Sequence, residues 1–263
     1  MLDLTPDYIQ VYIAYNRSDA SPGANGLGAG LYNDLQTGLS IGKGTGHGSD
    51  PIYNYDEIYS RLPAFRREHV DKISNPAVKS QSVMAFGLLI LGLEDIGFDT
   101  SDPGIWDELK YSVTEHGKPY FAGRSDIHFS LSHTQGAVMC SVSGAETGCD
   151  IDSTRSRSSL YSVAKKAFTP RELSFCMRTP TVGEDLEFFN GICIDPEAFC
   201  HIWTRKEAYS KYTGEGLGGI MAGFDIDGID AYVHSEGLGR YVWAVCTPGR
   251  VTVNPVFLKT TFS

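Results

Sequence analysis

The first residues of the chain alternate between apolar side chains and others. Ile9, Val11 and Ile13 lie two residues apart, and this period of two predicts a β-strand. Two β-rich runs, residues 127–132 and 137–142, predict a pair of strands near the middle of the chain. A further short strand is predicted to end at Asp152.

Helical patterns follow the first strand. One begins near Leu62, and the pattern returns after Asn75, which can cap a helix whose first turn contains Pro76. The apolar residues 83–93 then predict that this second helix is buried.

The second half of the chain repeats these signals. Thr169, Pro170 and Glu172 have the spacing of a capping box with a first-turn proline. Asp195, which precedes a proline, predicts the start of another helix, and Gly214 predicts its end.

Two last strand candidates, residues 231–234 and 241–246, close the chain. Each half therefore contains a strand, helices and more strands. This order predicts an α+β protein with two similar subdomains, residues 1–144 and 145–263, which meet near residues 143–147 around a cleft.

Glycine is concentrated in residues 21–50, where the periodicity is lost and a long loop is predicted. Lys43 lies in a glycine-rich run but is followed by Gly44, so the phosphate-binding loop motif is not satisfied. Residues 214–219 do satisfy G-x-G-x-x-G, but they follow a helix. A dinucleotide fingerprint requires strand, loop and helix in that order, so this run predicts only a helix end and a loop.

Charge and composition limit the functions to consider. The net charge is −10 and the isoelectric point is near 5.1, which argues against a nucleic-acid partner. A site for an anionic ligand then needs a local cluster of cations or a metal ion. The six cysteines lack zinc-site spacing, no secretory signal is visible, and the longest apolar run falls short of the roughly 20 residues that span a bilayer. We therefore expect a soluble, cytoplasmic protein with no membrane partner.

Two pairs of residues are candidates for chemistry. Asp150 and Asp152 lie two apart in a predicted strand and therefore point to the same face, where two like charges are costly without a cation. Glu207 and Lys211 lie four apart on one helical face. Taken alone, the first pair is typical of solvated acids at a strand end. The second is typical of a surface ion pair, which contributes about 0.3–0.5 kcal/mol.

Two further candidates are His133, just after a strand, and Lys118, in a tight turn. Each is unremarkable alone. The order of the motifs is informative: it resembles that of the surfactin-type (Sfp-like) 4′-phosphopantetheinyl transferases, over residues 62–217. The motifs are GKP at 117–119, FSLSH at 129–133, GCDID at 148–152, AFTPRE at 167–172 and WTRKEAYSKYTGEGL at 203–217.

The resemblance implies a fold of two subdomains related by pseudo-two-fold symmetry, in a monomer. It also implies a reaction: the 4′-phosphopantetheine arm of coenzyme A is transferred to a serine of an apo acyl or peptidyl carrier protein, and 3′,5′-ADP is released. Mg²⁺ is the implied cofactor and coenzyme A the co-substrate.

Roles for individual residues follow from the same resemblance. Asp150, Asp152 and Glu207 are expected to bind Mg²⁺, and Glu207 also to take the proton of the serine. Lys211 is expected to hold the pyrophosphate and to stabilise its departing oxygen. The other expected coenzyme A contacts are made by Lys118, His133, Ser132 and the backbone of His116, Gly117 and Pro119.

The chain departs from the family pattern in two places. Asp152 stands where many relatives have glutamate. The basic residues for the 3′-phosphate remain open among Arg66, Arg67, His69 and Lys79. Two other functions also remain open: a non-catalytic module that binds coenzyme A or a carrier protein, and a Mg²⁺-dependent phosphohydrolase. The phosphohydrolase gives no reason for the GKP and Ser-His motifs.

Overall fold

The computed structural model of the protein describes residues 4–16, 54–155, 159–179, 193–216 and 223–260. The glycine-rich residues 21–50 and the second half of the G-x-G-x-x-G run, residues 217–219, lie outside them.

The described elements are mixed α and β, which confirms the predicted class. The helices are α1 (Tyr55–Arg61), α2 (Ala64–Asp71), α3 (Pro76–Asp95), α4 (Gly104–Leu109), α5 (Leu160–Ala167), α6 (Pro170–Cys176) and α7 (Pro196–Thr213). The strands are β1 (Tyr8–Asn16), β2 (Tyr111–Val113), β3 (Pro119–Phe121), β4 (His128–Thr134), β5 (Ala137–Ser143), β6 (Gly148–Ser153), β7 (Met177–Arg178), β8 (Cys193–Ile194), β9 (Tyr232–Leu238), β10 (Tyr241–Thr247) and β11 (Thr252–Thr260).

Two main sheets form the centre of the molecule. The first has the order β11-β1-β5-β4, and the second has the order β6-β10-β9. All neighbouring strands in them are antiparallel except β1 and β11, which are parallel. Two short hairpin-like pairs, β2-β3 and β7-β8, lie outside these sheets.

Strand β1 is buried on both faces. Ile9, Val11 and Ile13 pack in a cluster that also contains Trp243 of the second sheet. Tyr12, which points the other way, packs among residues of α3. Helix α7 covers the opposite face of the second sheet through a smaller cluster that includes Ala208 and Ala244. The order of the layers is therefore helix, sheet, sheet, helix.

The structure extends two sequence-based predictions. The helical region before Asn75 begins at Tyr55, seven residues before the predicted start, and Leu62 is the residue at which α1 ends. The chain also continues past the last predicted strand into β11, which pairs with β1 in the first sheet. Pro255 weakens the strand pattern of β11 because proline cannot donate to a ladder, and β11 tolerates it as an edge strand.

Helix α3 is a core helix. The Asn75 side chain caps it by accepting the N–H groups of Ala77 and Val78, and Pro76 opens it, as predicted. Its length and composition would also allow it to cross a membrane, and it is longer than the apolar run noted in the sequence. In the structure 67% of its apolar window is buried, because α3 packs on β4, β5 and β1.

The other helix signals are confirmed. Thr169 and Glu172 form the predicted capping box at the start of α6. Asp195 caps α7 through the N–H groups of its first turn. The helix ends at Gly214, whose φ of 74° suits glycine.

Candidate functional site

Edge strands β4 and β6 lie side by side and are joined by side chains. The hydroxyl of Ser130 accepts the N–H of Cys149 at 3.0 Å, and that of Ser132 accepts the N–H of Ile151 at 3.3 Å. Thr134 continues the series by donating to Asp152 Oδ1 at 2.9 Å. The period-two run Ser-x-Ser-x-Thr therefore fastens the strand that carries the two aspartates.

A cavity of about 490 Å³ opens at this contact. It is lined by Leu131, Ser132, His133, Thr134, Asp150, Ile151, Asp152, Trp203, Glu207 and Lys211. The structure thus brings together the candidates from the FSLSH, GCDID and WTRKEA motifs, which are far apart in the sequence.

Asp150 is a buried acid of the cavity and is only 6% exposed. Its Oδ1 accepts the Ser132 hydroxyl at 2.7 Å and the Lys211 ammonium at 2.8 Å. Burial lowers the pKa of Lys211, but the Asp150 carboxylate, helped by Cys149 and Glu207, outweighs this and holds the pKa above its ordinary value. Lys211 therefore forms its ion pair with Asp150, on the other side of the cavity. A simple surface ion pair along α7 would instead have joined Lys211 to Glu207.

Glu207 is the electrostatically strained acid. It is 7% exposed, and burial together with the charges of Asp150 and Asp152 raises its pKa to about 8, although Lys211 acts in the opposite direction. None of the described residues donates a hydrogen bond that offsets this burial. An anion so placed is stabilised by an added cation.

The three carboxylates fit a hard divalent cation in donor type and position. Asp150, Asp152 and Glu207 supply oxygen ligands to one cavity, and Mg²⁺ prefers few carboxylates together with waters and substrate phosphates. Among the described residues they do not form a preassembled cluster of three metal ligands. The crowding of charge around Glu207 is the observation that favours a cation here.

Gly148, the first residue of GCDID, lets β6 approach α7 closely. A Cβ at this position would lie 2.1 Å from the carbonyl oxygen of Ala208 and 2.3 Å from the N–H nitrogen of Tyr212. Only glycine fits here, which brings Asp150 within reach of Lys211. The role of this glycine has no local sequence signal, because its close neighbours belong to α7.

His133 stands exposed at the rim of the cavity. Partial burial and the charge of Lys211 lower its pKa, Asp150 acts in the opposite direction, and Arg66 lowers it further. Arg66 therefore lies near enough to His133 to influence it, and its Nη2 donates to the Ser82 hydroxyl at 2.6 Å. Lys79, by contrast, is paired with Asp71 at 2.7 Å.

The GKP turn lines a second cavity, of about 550 Å³, beside the end of α7. Its lining residues are Thr114, Glu115, His116, Lys118, Glu146, Tyr212, Thr213 and Gly214. Lys118 donates to Glu146 Oε1 at 2.5 Å and to the Tyr212 carbonyl oxygen at 2.7 Å. Glu146 and Tyr212 carry no local sequence signal, because only the folded chain brings them to Lys118.

The lysine of WTRKEA has a structural place. Lys206 is fully buried and donates to Glu172 Oε2 at 2.7 Å and to the carbonyl oxygens of Ala167 and Phe224, both at 2.9 Å. Glu172 in turn accepts the N–H of Ile226 at 2.8 Å. This buried pair joins α7 to α6 at the residue that precedes Glu207.

Comparisons with known proteins agree with the motif order. Residues 146–245 match the model of the 4′-phosphopantetheinyl transferase superfamily. The chain is 33% identical to the 4′-phosphopantetheinyl transferase HetI of Nostoc sp. over 125 residues, 46% of this chain and 47% of that protein. It is 27% identical to the 4′-phosphopantetheinyl transferase Sfp of Bacillus subtilis over 130 residues, 49% of this chain and 50% of that protein.

The chain thus spans about half the length of these two relatives. It is also 32% identical to the 4′-phosphopantetheinyl transferase AcpT of Salmonella typhi over 146 residues, 54% of this chain and 68% of that protein. Together with the superfamily match, this confirms the resemblance seen in the motifs. The chain belongs to the 4′-phosphopantetheinyl transferase superfamily.

Proposed function

We propose that the protein transfers the 4′-phosphopantetheine arm of coenzyme A to a serine of an apo acyl or peptidyl carrier protein. The observation that carries this proposal is the convergence of Asp150, Asp152, Glu207 and Lys211 on one cavity beside His133. The reaction needs charge neutralisation at a pyrophosphate, a proton acceptor for a hydroxyl and a stabilised leaving group. The cavity offers a group for each of these needs.

Asp150, Asp152 and Glu207 would hold Mg²⁺. When bound, the ion would neutralise charge on the pyrophosphate of coenzyme A. Ser132 supports this arrangement because its hydroxyl, at 2.7 Å from Asp150 Oδ1, fixes the orientation of that carboxylate.

In the proposed reaction the serine oxygen forms a bond to the phosphorus nearest pantetheine, and the bond from that phosphorus to the oxygen of 3′,5′-ADP breaks. Glu207 takes the proton of the serine. Its carboxylate would stay ionised beside the bound cation, and a carboxylate whose pKa burial and like charges raise to about 8 binds a proton readily. Lys211 faces the same cavity as a cation and stabilises the charge that develops on the departing oxygen.

The nucleotide end of coenzyme A is proposed to lie between His133 and the GKP turn, with Ser132 and the backbone of residues 116–119 beside it. Arg66 is the basic residue of the open set that we assign with His133 to the 3′-phosphate. Its charge acts on His133, whose pKa it lowers, and a guanidinium beside this imidazole favours an anion there.

We propose that residues 1–144 and 145–263 form two subdomains related by pseudo-two-fold symmetry. The pairing order of three strands in each half supports this proposal. In both trios, β1-β5-β4 and β6-β10-β9, the strand that comes first in the sequence pairs with the one that comes last, and that last strand also pairs with the remaining one. A long helix packs on each trio. Strand β11, although it follows residue 145, adds to the first sheet.

We further propose a soluble, monomeric, cytoplasmic protein without nucleic-acid or membrane partners. The net charge of −10 supports the exclusion of nucleic acid, because phosphates are bound by basic surfaces. The burial of α3 in the core supports the exclusion of the membrane.

Incubation with coenzyme A, Mg²⁺ and an apo carrier protein tests the proposal. We expect the carrier to gain the mass of one phosphopantetheine arm for each 3′,5′-ADP released. Release of 3′,5′-ADP without a mass gain would identify a phosphohydrolase. Binding of coenzyme A with neither product, across fatty-acid, polyketide and peptide carriers, would identify a binding module.

A further inference from the structure

The side chain of Lys118 is committed to contacts within the protein. It leaves the β2-β3 turn next to Gly117, whose φ is 83°, and only 14% of it is exposed. Its ammonium reaches both Glu146 Oε1, at 2.5 Å, and the Tyr212 carbonyl oxygen, at 2.7 Å. One cation thus joins the hairpin, the connection between β5 and β6, and the last turn of α7.

The contact with Tyr212 places a cation at the carboxyl end of α7. The last carbonyl groups of a helix lack partners within it, and this end carries a partial negative charge. The Ser210 carbonyl receives the N–H of Gly214 at 2.9 Å, whereas the Tyr212 carbonyl receives Lys118. Lys118 therefore caps α7 from the other half of the chain.

Glu146 neutralises this cation. Burial raises the pKa of Glu146, but hydrogen bonds from His128 and Lys118 outweigh burial and lower the pKa to about 2. The carboxylate is ionised at neutral pH, and its other oxygen lies 3.3 Å from His128 Nδ1. The Lys118–Glu146 pair consequently offers a phosphate no net positive charge.

The segments that Lys118 joins lead directly into the carboxylate cavity. Tyr212 follows Lys211, whose ammonium bonds Asp150, and Glu146 lies in the connection that enters β6. We propose that Lys118 is a positioning residue that caps α7 and fastens the two halves, rather than the phosphate ligand that the family resemblance implies. Its effect on turnover rests on the proposed function, whereas its effect on stability does not.

The substitution Glu146→Gln separates the two roles by the sign of its effect. If Lys118 bound a phosphate, removal of the neighbouring negative charge would free it, and the Kd for coenzyme A would fall. For a positioning residue we expect kcat to fall while the Kd, measured calorimetrically, changes by less than about threefold. Tighter binding of coenzyme A by Glu146→Gln would overturn the proposal.

A double-mutant cycle in thermal unfolding tests the contact itself. Lys118→Met and Glu146→Gln should each lower the melting temperature, and the double variant should lose no more than the more damaging single change. Additive losses would overturn the proposal. Where Lys118→Met does not fold, the sign of the Glu146→Gln effect still decides.

Glu68 and Lys72 provide a matched control. Glu68 lies on α2, Lys72 directly follows this helix, and their side chains are 74% and 72% exposed. Their neutral variants should shift neither the melting temperature nor kcat. If the wild type transfers nothing, the proposed function fails, and the unfolding cycle still decides whether Lys118 is a cap.

Discussion

Helices α3 and α7 pack on the two main sheets in similar places but bury different kinds of side chain. Helix α3 buries mostly apolar residues, among them Val83, Met84, Phe86, Leu88 and Leu89. Helix α7 buries polar and charged residues: Thr204, Lys206, Glu207 and Ser210. Hydrophobic burial stabilises the first helix, whereas the second is stable only where each buried polar group has a partner.

The partners of α7 separate its structural residues from its functional ones. Thr204 donates to the Cys200 carbonyl at 2.9 Å, and Lys206 is surrounded by acceptors. Glu207, the other charged residue of this set, differs from Lys206, because burial raises its pKa and no hydrogen bond from the described residues offsets it. A local conflict of this kind is expected where a ligand completes the site.

The largest effect is expected from Lys206→Met. It leaves Glu172 buried without its cation, which costs about 3–5 kcal/mol of unfolding free energy. On α3, Phe86→Ala should cost about the same, 3–5 kcal/mol, by opening a cavity. Denaturant unfolding distinguishes the causes: a second change, Glu172→Gln, removes the uncompensated charge but keeps an acceptor oxygen, and should recover part of the loss at Lys206. A cost below about 1 kcal/mol for Lys206→Met would show that α7 does not depend on this pair.

Lys211→Met should lower kcat about a hundredfold or more, because its ammonium is expected to stabilise charge that develops only during transfer. The KM for coenzyme A should change little. His133→Ala provides the contrast, since the 3′-phosphate keeps its charge during the reaction, and it should raise KM instead. Steady-state kinetics with one apo carrier measures both. A pure KM effect for Lys211→Met would reduce Lys211 to a phosphate-holding residue.

Charge crowding at Glu207 predicts a smaller, opposite effect on stability. With a metal chelator present, Glu207→Gln should raise the melting temperature by a few degrees. The expected shift is about 2–4 °C for each kcal/mol gained in unfolding free energy. Asp150→Asn should lower it, because Ser132 and Lys211 lose a charged acceptor. Mg²⁺ should then stabilise the wild type but not Glu207→Gln. Equal stabilisation of both by Mg²⁺ would place the ion elsewhere.

The smallest effect concerns Glu146 and pH. Its folded pKa, about 2, lies below its ordinary value of 4.5, so its ionised form stabilises the fold fully above pH 4.5. This contribution is lost as the pH falls from 4.5 toward 2. The stability difference between wild type and Glu146→Gln should be constant from pH 7 to about 5, and then shrink. A difference that grows on acidification would contradict the assigned ion pair.

Local signals predicted much of the fold. Asn75, Thr169, Asp195 and Gly214 marked helix ends because caps act within one turn of the chain. The sequence did not predict β11, whose proline hides its pattern and whose partner β1 lies more than two hundred residues away. Pairing over such a distance leaves no local trace.

The site, like the fold, was predictable from the sequence only in part. Spacing predicted that Asp150 and Asp152 share a face and that Glu207 and Lys211 share another, and all four line one cavity. Spacing alone predicted the wrong partner for Lys211, because the close approach of β6 to α7 at Gly148 is a tertiary feature. Thr134 could have been found, since it continues the alternation of Ser130 and Ser132.

The most direct test of the account compares the wild type with Glu207→Gln, which keeps the size of the side chain but cannot take a proton. Both are incubated with coenzyme A, Mg²⁺ and an apo carrier, and the mass of the carrier is followed with time. We predict that the wild type adds one phosphopantetheine arm to the serine. The rate for Glu207→Gln should be lower by a factor of about a hundred or more. Equal rates for the two proteins would contradict the assignment of Glu207 as the proton acceptor.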